Sequence, residues 1–357
     1  MIKPDLTTLQ ADAVALLKQL IATPSFSKEE NDTAELIGAF FESHGIPFSR
    51  IGNNIYAKNK YYDPNKASIL LNSHHDTVRP NKAYTNDPFF PIEKDGKIFG
   101  LGSNDAGGCL VSLMATFFHF YPIENFSHNV VFAASAEEEI SGVNGIELVL
   151  PYLGKIDFGI VGEPTKLQMA VAERGLMVID CTAPGRPGHA ARNEGENALY
   201  NALDDIQWIR NYRFDKVSDL LGESRMSVTV IETENKQHNV VPSQCKFVID
   251  VRVNERYTFE EILEALKNNL KSQFKPRTTR MKSTSIPLDH PLIKGGIVLG
   301  RTYFGSPTTS DKALMPFPAL KMGPGDSARS HTADEYIYVE EINQGIQLYI
   351  DLLNKLV

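Results

Sequence analysis

The sequence predicts an α/β fold: a first domain built on a mostly parallel sheet flanked by helices, interrupted by an inserted α+β domain of ferredoxin-like order. Three observations carry this expectation. Apolar runs of strand length alternate with helix-period segments through about Gly162, the signature of a parallel, doubly wound sheet. After Glu163 the pattern becomes strand, helix, strand, strand, helix, strand, which is the ferredoxin-like order. The chain has 357 residues, more than one hydrophobic core usually holds, so two domains are expected. The boundaries fall at residues 1–172 and 286–357 for the discontinuous first domain and 173–285 for the insert.

Taken in order, Leu9, Ala13, Leu16, Leu17 and Leu20 recur at helical spacing over residues 6–22, and Thr23-Pro24-Ser25 stops that helix. A second helix, at about 29–44, ends at Gly45, a residue suited to a left-handed C-cap. Residues 68–72, 129–135, 158–161 and 319–322 are apolar runs that read as buried strands. Residues 109–120 are apolar almost all round and read as a buried helix. In the insert, 175–183, 227–232 and 245–253 are strand-like, 195–210 and 258–270 are helical, and 278–286 is the last strand. A long helix pattern over 337–357 returns the chain to the first domain.

Composition narrows the class. Hydrophobic residues at 42% and charged residues at 22% are ordinary for a soluble globular protein. A formal net charge of −8 argues against a nucleic-acid partner, since phosphate binding needs a basic face. Cys109, Cys181 and Cys245 form no CxxC spacing, which fits a reducing compartment and small core residues. The start of the chain carries no signal-peptide pattern and no apolar run reaches bilayer length, so no membrane association and a cytoplasmic location are expected.

The chemistry lies where the strands end. The run 129–135 leads into Glu137-Glu138-Glu139, 68–72 into His74-His75-Asp76, 158–161 into Gly162-Glu163, and 319–322 into a loop holding Ser330-His331-Thr332. In an open α/β sheet the carboxyl ends of the strands line one crevice, where ligands bind. A surface turn would tolerate three adjacent acids, but repetition of the pattern points to a shared metal site. Asp105 follows Gly100-Leu101-Gly102 and precedes the buried helix. A dinucleotide fingerprint needs Gly where Asp105 stands, and a carboxylate there repels a pyrophosphate while attracting a cation. As a helix N-cap, Asp105 has a plain structural reading too.

Two divalent cations could share this crevice, with Asp105 bridging, His74 and Glu163 completing one site, and Glu139 and His331 the other. Zn²⁺ suits such donors best, with Co²⁺ or Mn²⁺ as alternatives. Asp76 is placed to orient the His74 imidazole, and Glu138, adjacent to ligand Glu139, to move the proton from water to a leaving nitrogen. That chemistry hydrolyses amides. Glu137 is expected to be solvated or a helix-start charge, and His75, pointing opposite to His74, to be packing. A non-catalytic metal-binding protein is the competing class, against which the extra carboxylate Glu138 argues.

The motifs His74-His75-Asp76, GLGSNDAGG at 100–108, Glu138-Glu139, Gly162-Glu163-Pro164-Thr165 and Ser330-His331-Thr332 together resemble the M20 family of co-catalytic zinc peptidases and deacylases. The resemblance implies a lid domain that forms homodimers, and a lid histidine that stabilises the oxyanion in the partner's site; Gly188-His189-Ala190 matches that position. It also implies a substrate-binding Asn239 in Asn239-Val240-Val241-Pro242, and Arg252 as a carboxylate-binding residue. Where most members carry Met-Lys after the bridging Asp, this chain has Ala106-Gly107; the peptide after that Asp is often cis in the family. The SNDAG variant and short chain look most like acetylornithine deacetylase-type enzymes, so the implied substrate is an N-acyl amino acid, first N-acetylornithine. The alternatives are N-acetyl or N-succinyl citrulline or ornithine, N-succinyl-diaminopimelate, or a dipeptide.

Overall fold

Burial along whole strands, rather than alternation, builds the central sheet. Every residue of Ser68–His74, Asn129–Ser135 and Phe158–Val161 is buried, as expected of parallel strands covered on both faces. In the computed structural model, which describes residues 5–192 and 194–356, these strands pair in parallel, and Ala319–Lys321 joins Phe158–Val161 in the same sense. Antiparallel strands flank this core: Asn54–Lys58 and Ser49–Ile51 on one side, Met169–Glu173 on the other. The result is a mixed nine-stranded sheet whose centre is parallel.

Helices cover the sheet. Leu6–Ile21 starts at Asp5, whose carboxylate accepts the Thr8 N–H at 3.0 Å, and buries Leu9, Ala13, Leu16 and Leu17. Asn31–Ser43 ends at His44 with Gly45 in the left-handed region at φ 64°. Gly108–Phe120, buried at all but one residue, packs against Leu6–Ile21 and the C-terminal helix Val339–Asn354. Elsewhere in the same core, Ile146, Val149 and Leu153 of Ile146–Leu153 pack on Leu70, Val131 and Ala133. Each such fully buried aliphatic side chain contributes about 1.5–3 kcal/mol. The C-terminal helix is preceded by a short strand, Tyr336–Tyr338, so the helix starts later than residue 337.

The chain divides into two compact units. The first runs to Val171 and resumes over Ser285–Phe304 and from Ser310; the second comprises Ala172–Thr284 and Gly305–Thr309. The sequence reading left residues 305–309 with the first domain. They belong with the second because Arg174 N–H donates to Ser306 O at 3.3 Å and the Thr309 hydroxyl to Arg174 O at 2.8 Å.

The second unit holds an antiparallel sheet in the order Arg225–Thr233, Gln244–Val253, Gly175–Pro184, Gln273–Pro276, with helices Ala198–Asn211 and Phe259–Asn269. This is the expected ferredoxin-like arrangement. Alternating burial in Gly175–Pro184 turns Met177, Ile179 and Cys181 toward Ala202, Ile209, Ile262 and Leu266. Thr258 and Glu261 form a capping box that starts the second helix. The fourth strand is Gln273–Pro276, not residues 278–286. It is an edge strand, where a terminal proline is tolerated and the apolar signal is weak, while Thr284–Ser285 joins the central sheet instead.

Candidate metal centre

Parallel strands deliver their carboxyl ends to one edge, and the expected side chains meet there. His74 is the last residue of its strand, Glu138 and Glu139 form a single tight turn after Ser135, and Glu163 follows Val161 by two residues. Asp105 sits in the turn Ser103–Gly107 that enters helix Gly108–Phe120, and His331 in the loop beyond Ala319–Lys321. Asp105 Oδ1 lies 3.5 Å from His74 Nε2, and its Oδ2 lies 3.6 Å from His331 Nε2. His74 Nε2 is 3.9 Å from Glu163 Oε1, and His331 Nε2 is 3.0 Å from Glu139 Oε2. Asp105 therefore faces both histidines, with Glu163 near His74 and Glu139 near His331, and a compact donor group joins Asp105 and Glu139 to His74. Glu138 Oε2 stands 4.0 Å from His74 Nε2 and falls within the same donor cluster as His74 and Glu163.

The electrostatics are those of a site built for cations. Burial, then the Asp105 and Glu139 charges, push Glu163 up to about 7 against the pull of Lys321. Burial with the charges of Glu163, Asp311 and Glu139 raises Glu138 well above the carboxylate range. Burial, with Asp105 adding to it, raises Glu139 as well. Burial lowers His74, but hydrogen bonding to Asp105 and Asp76 outweighs it and leaves the imidazole raised. Four carboxylates and two imidazoles in one pocket are costly together, and divalent cations remove that repulsion. Carboxylate oxygen and imidazole nitrogen form a donor set suited to Zn²⁺, Co²⁺ or Mn²⁺, so the residues present fit such ions.

Buried non-donor groups hold this constellation. His74 Nδ1–H donates to the backbone carbonyl of Asp76 at 3.0 Å. The Asp76 carboxylate, expected to orient that ring, is 3.4 Å from Nδ1. Its main hydrogen bonds come from the Glu138 and Glu139 N–H groups at 3.0 and 3.1 Å and the Ser27 hydroxyl at 2.7 Å. Asp76 thus grips the turn that carries the acids, because a tight turn leaves its first amides unpaired. Glu335, which the sequence reading missed, accepts three N–H bonds from the Asp105 turn. Its one sequence signal is an acid set directly before the alternating Tyr336-Ile337-Tyr338.

Glu137 is not solvated; it stands at the start of the short turn Glu138–Ile140, as the helix-start alternative has it. It is buried at φ 55°, and its carboxylate accepts the Asn144 Nδ2–H at 2.9 Å and N–H at 3.3 Å, which closes the loop after the turn. His75 is packed as expected, between the Thr33 hydroxyl and Asn53 O, each at 2.9 Å. The Asp105–Ala106 peptide is cis.

The remaining predicted residues belong to the second unit. His189 is exposed, on the two-residue strand Gly188–His189 that pairs with Val240–Val241, and its Nδ1 accepts the Ala191 N–H at 3.2 Å. Ala190 N–H donates to Asn239 O at 3.0 Å, so His189 and Asn239 are neighbours. Arg252 forms a forked pair with Asp250 at 2.8 and 3.0 Å and lies opposite Arg225 in register.

A mixed α/β sheet whose strand ends bring His, Asp and Glu donors around a shared Asp defines a metal-dependent hydrolase architecture. The family model described as Peptidase family M20/M25/M40 matches residues 70–355, and the chain belongs to that family. It is an amide-bond hydrolase. The chain is 26% identical to a succinyl-diaminopimelate desuccinylase from Wolbachia pipientis wMel over 379 residues, covering 97% of this chain and 93% of that one. It shares its fold with the aminopeptidase PepT from Bacillus cereus, with TM-score 0.78, 18% identity, and coverage of 97% and 98%. It also shares it with a dinuclear metal binding peptidase of the M20 family from Bacillus subtilis, with TM-score 0.71, 14% identity, and coverage of 97% and 98%. No helix among the described residues is long and apolar enough to cross a membrane.

Proposed function

We propose that this protein hydrolyses the amide of an N-acyl amino acid at a pair of divalent cations. Asp105, between the two histidines, would contribute to both positions, with His74 and Glu163 holding one cation and Glu139 and His331 the other. The observation that carries this is Asp105 presenting one oxygen toward each histidine, with Glu138 left over beside the pair. When bound, paired cations polarise the scissile carbonyl and acidify water. Glu138 then accepts the proton from water and returns it to the leaving nitrogen. Its raised affinity for protons and its largely buried position suit that transfer. Asp76 keeps the Glu138–Glu139 turn aimed, and its carbonyl keeps His74 with Nε2 free to ligate.

The relatives named as desuccinylases support N-succinyl-diaminopimelate as the substrate, in preference to the N-acetylornithine that the sequence reading placed first. Arg252 supplies a guanidinium fork for a substrate carboxylate, in exchange for Asp250. Adjacent His189 and Asn239 serve oxyanion and substrate contacts, His189 acting on the partner's site in a homodimer formed through the second unit.

The test is hydrolysis of N-succinyl-diaminopimelate, N-succinylornithine, N-acetylornithine, N-acetylcitrulline and a dipeptide by chelator-stripped protein, before and after adding Zn²⁺, Co²⁺ or Mn²⁺. N-succinyl-diaminopimelate should turn over fastest, and only with cation. Faster cleavage of acetylornithine would overturn the substrate assignment, and cleavage of none would overturn the reaction class.

A further inference from the structure

The bridging position depends on a turn, and that turn is held by one side chain from far along the chain. Glu335 is 2% exposed. Its Oε1 accepts the N–H groups of Asn104 at 2.7 Å and Asp105 at 2.9 Å, and its Oε2 that of Gly102 at 3.0 Å. The Glu335 carbonyl also accepts the Gly100 N–H at 2.9 Å, so the segment is pinned at four points. No lysine or arginine pairs with this carboxylate among the described residues. Asn104, inside the turn, extends the network: its Oδ1 accepts the Asp326 N–H at 2.9 Å, and its Nδ2 donates to Asp326 O at 3.1 Å. The Asp326 loop leads on to His331, four residues before Glu335. One buried carboxylate thereby ties the turn bearing Asp105 to the segment bearing His331.

The same carboxyl that caps the Asp105 turn sits four residues from His331, so its hold reaches both sides of the candidate site. We propose that Glu335 is the positioning residue for the bridging carboxylate: by gripping the Gly102, Asn104 and Asp105 amides, it fixes the spacing at which Asp105 serves both cation positions. This rests on the cation-pair reading above. Three hydrogen bonds of 2.7–3.0 Å converging on one carboxyl are directional, so they suit a group whose displacement would separate Asp105 from one histidine or the other.

Glu335→Gln tests this, since its amide nitrogen would meet backbone N–H groups instead of accepting from them. Stripped protein is titrated with Co²⁺, following its visible absorption, and apo-protein melting temperature, kcat and KM are measured alongside. The expected result is about a 10–100-fold weaker uptake of the second Co²⁺, kcat lowered with KM little changed, and partial recovery of kcat in excess Co²⁺. If Glu335→Gln does not fold, Glu335→Asp keeps the carboxyl but withdraws it by one methylene, and the same weakening is expected. A lower apo melting temperature with wild-type uptake of both ions, in whichever variant folds, would reduce Glu335 to a structural cap and overturn the proposal. Wild-type protein that takes up fewer than two Co²⁺ would overturn the cation-pair reading and this proposal together.

Discussion

Replacing Glu138 with Gln isolates proton transfer from metal binding. The substitution preserves shape and removes only the group that accepts a proton. Glu138 Oε2 lies 4.0 Å from His74 Nε2, within the donor cluster of His74 and Glu163, so geometry alone leaves it either ligand or base. Two features favour the base. Each histidine already has two carboxylates other than Glu138 within 4.0 Å: Asp105 and Glu163 at His74, Asp105 and Glu139 at His331. Burial and the neighbouring Glu163, Asp311 and Glu139 charges also raise its carboxyl well above the ordinary value, which makes it the stronger proton acceptor. General-base catalysis contributes about 10²–10⁴-fold, or about 2.7–5.4 kcal/mol of barrier at 1.36 kcal/mol per tenfold. Glu138→Gln should therefore lose that factor in kcat while keeping two cations per chain by elemental analysis. Loss of one cation would make Glu138 a ligand, and retention of a tenth or more of wild-type kcat would remove it from proton transfer.

The other predictions test the second unit and the histidine ligand. His189→Ala should cost about 2.7–4 kcal/mol of transition-state stabilisation if His189 donates to the oxyanion, and mixing it with Glu138→Gln should restore activity through heterodimers. Absence of rescue would mean that His189 works within its own chain or not at all. In metal-free protein, hydrogen bonding to Glu139 raises His331 from 6.5 to about 9. The protonated ring gains the ion pair, so this stabilisation is complete below about pH 6.5 and lost as pH rises through about 9. The ring is more than half exposed, so screening limits the effect to under about 1 kcal/mol. From urea melts, apo wild type should lose more stability between these pH values than His331→Gln by up to that amount, and equal losses would refute the pair. Over the same range cation affinity should rise, since ligation requires the neutral imidazole.

The sequence by itself determined which histidines and acids stand at the strand ends and the strands that deliver them. Asn129–Ser135 and Phe158–Val161 are observed at their expected bounds, and each leads directly into the acids of the site. Such a signal is local: an unbroken apolar run marks a strand buried on both faces, and a carboxylate or imidazole at its end has few other reasons to be there. The helix Gly108–Phe120 was legible for the same reason, since apolar residues all round leave no solvent face. Tertiary structure alone decided what holds those ligands. Glu137 reads as a solvated or helix-start acid until its loop folds back and supplies Asn144, and the Asp76 carboxylate, 3.4 Å from His74 Nδ1, also takes the Glu138 and Glu139 amides. The edge strand Gln273–Pro276 was missed because half its side chains face solvent and its pairing comes from residues 179–182. Glu335 is the clearest case, since it reaches the amide of Asn104 across 231 residues. A backbone donor looks the same in every sequence, so only the folded chain reveals which carboxylate it has found.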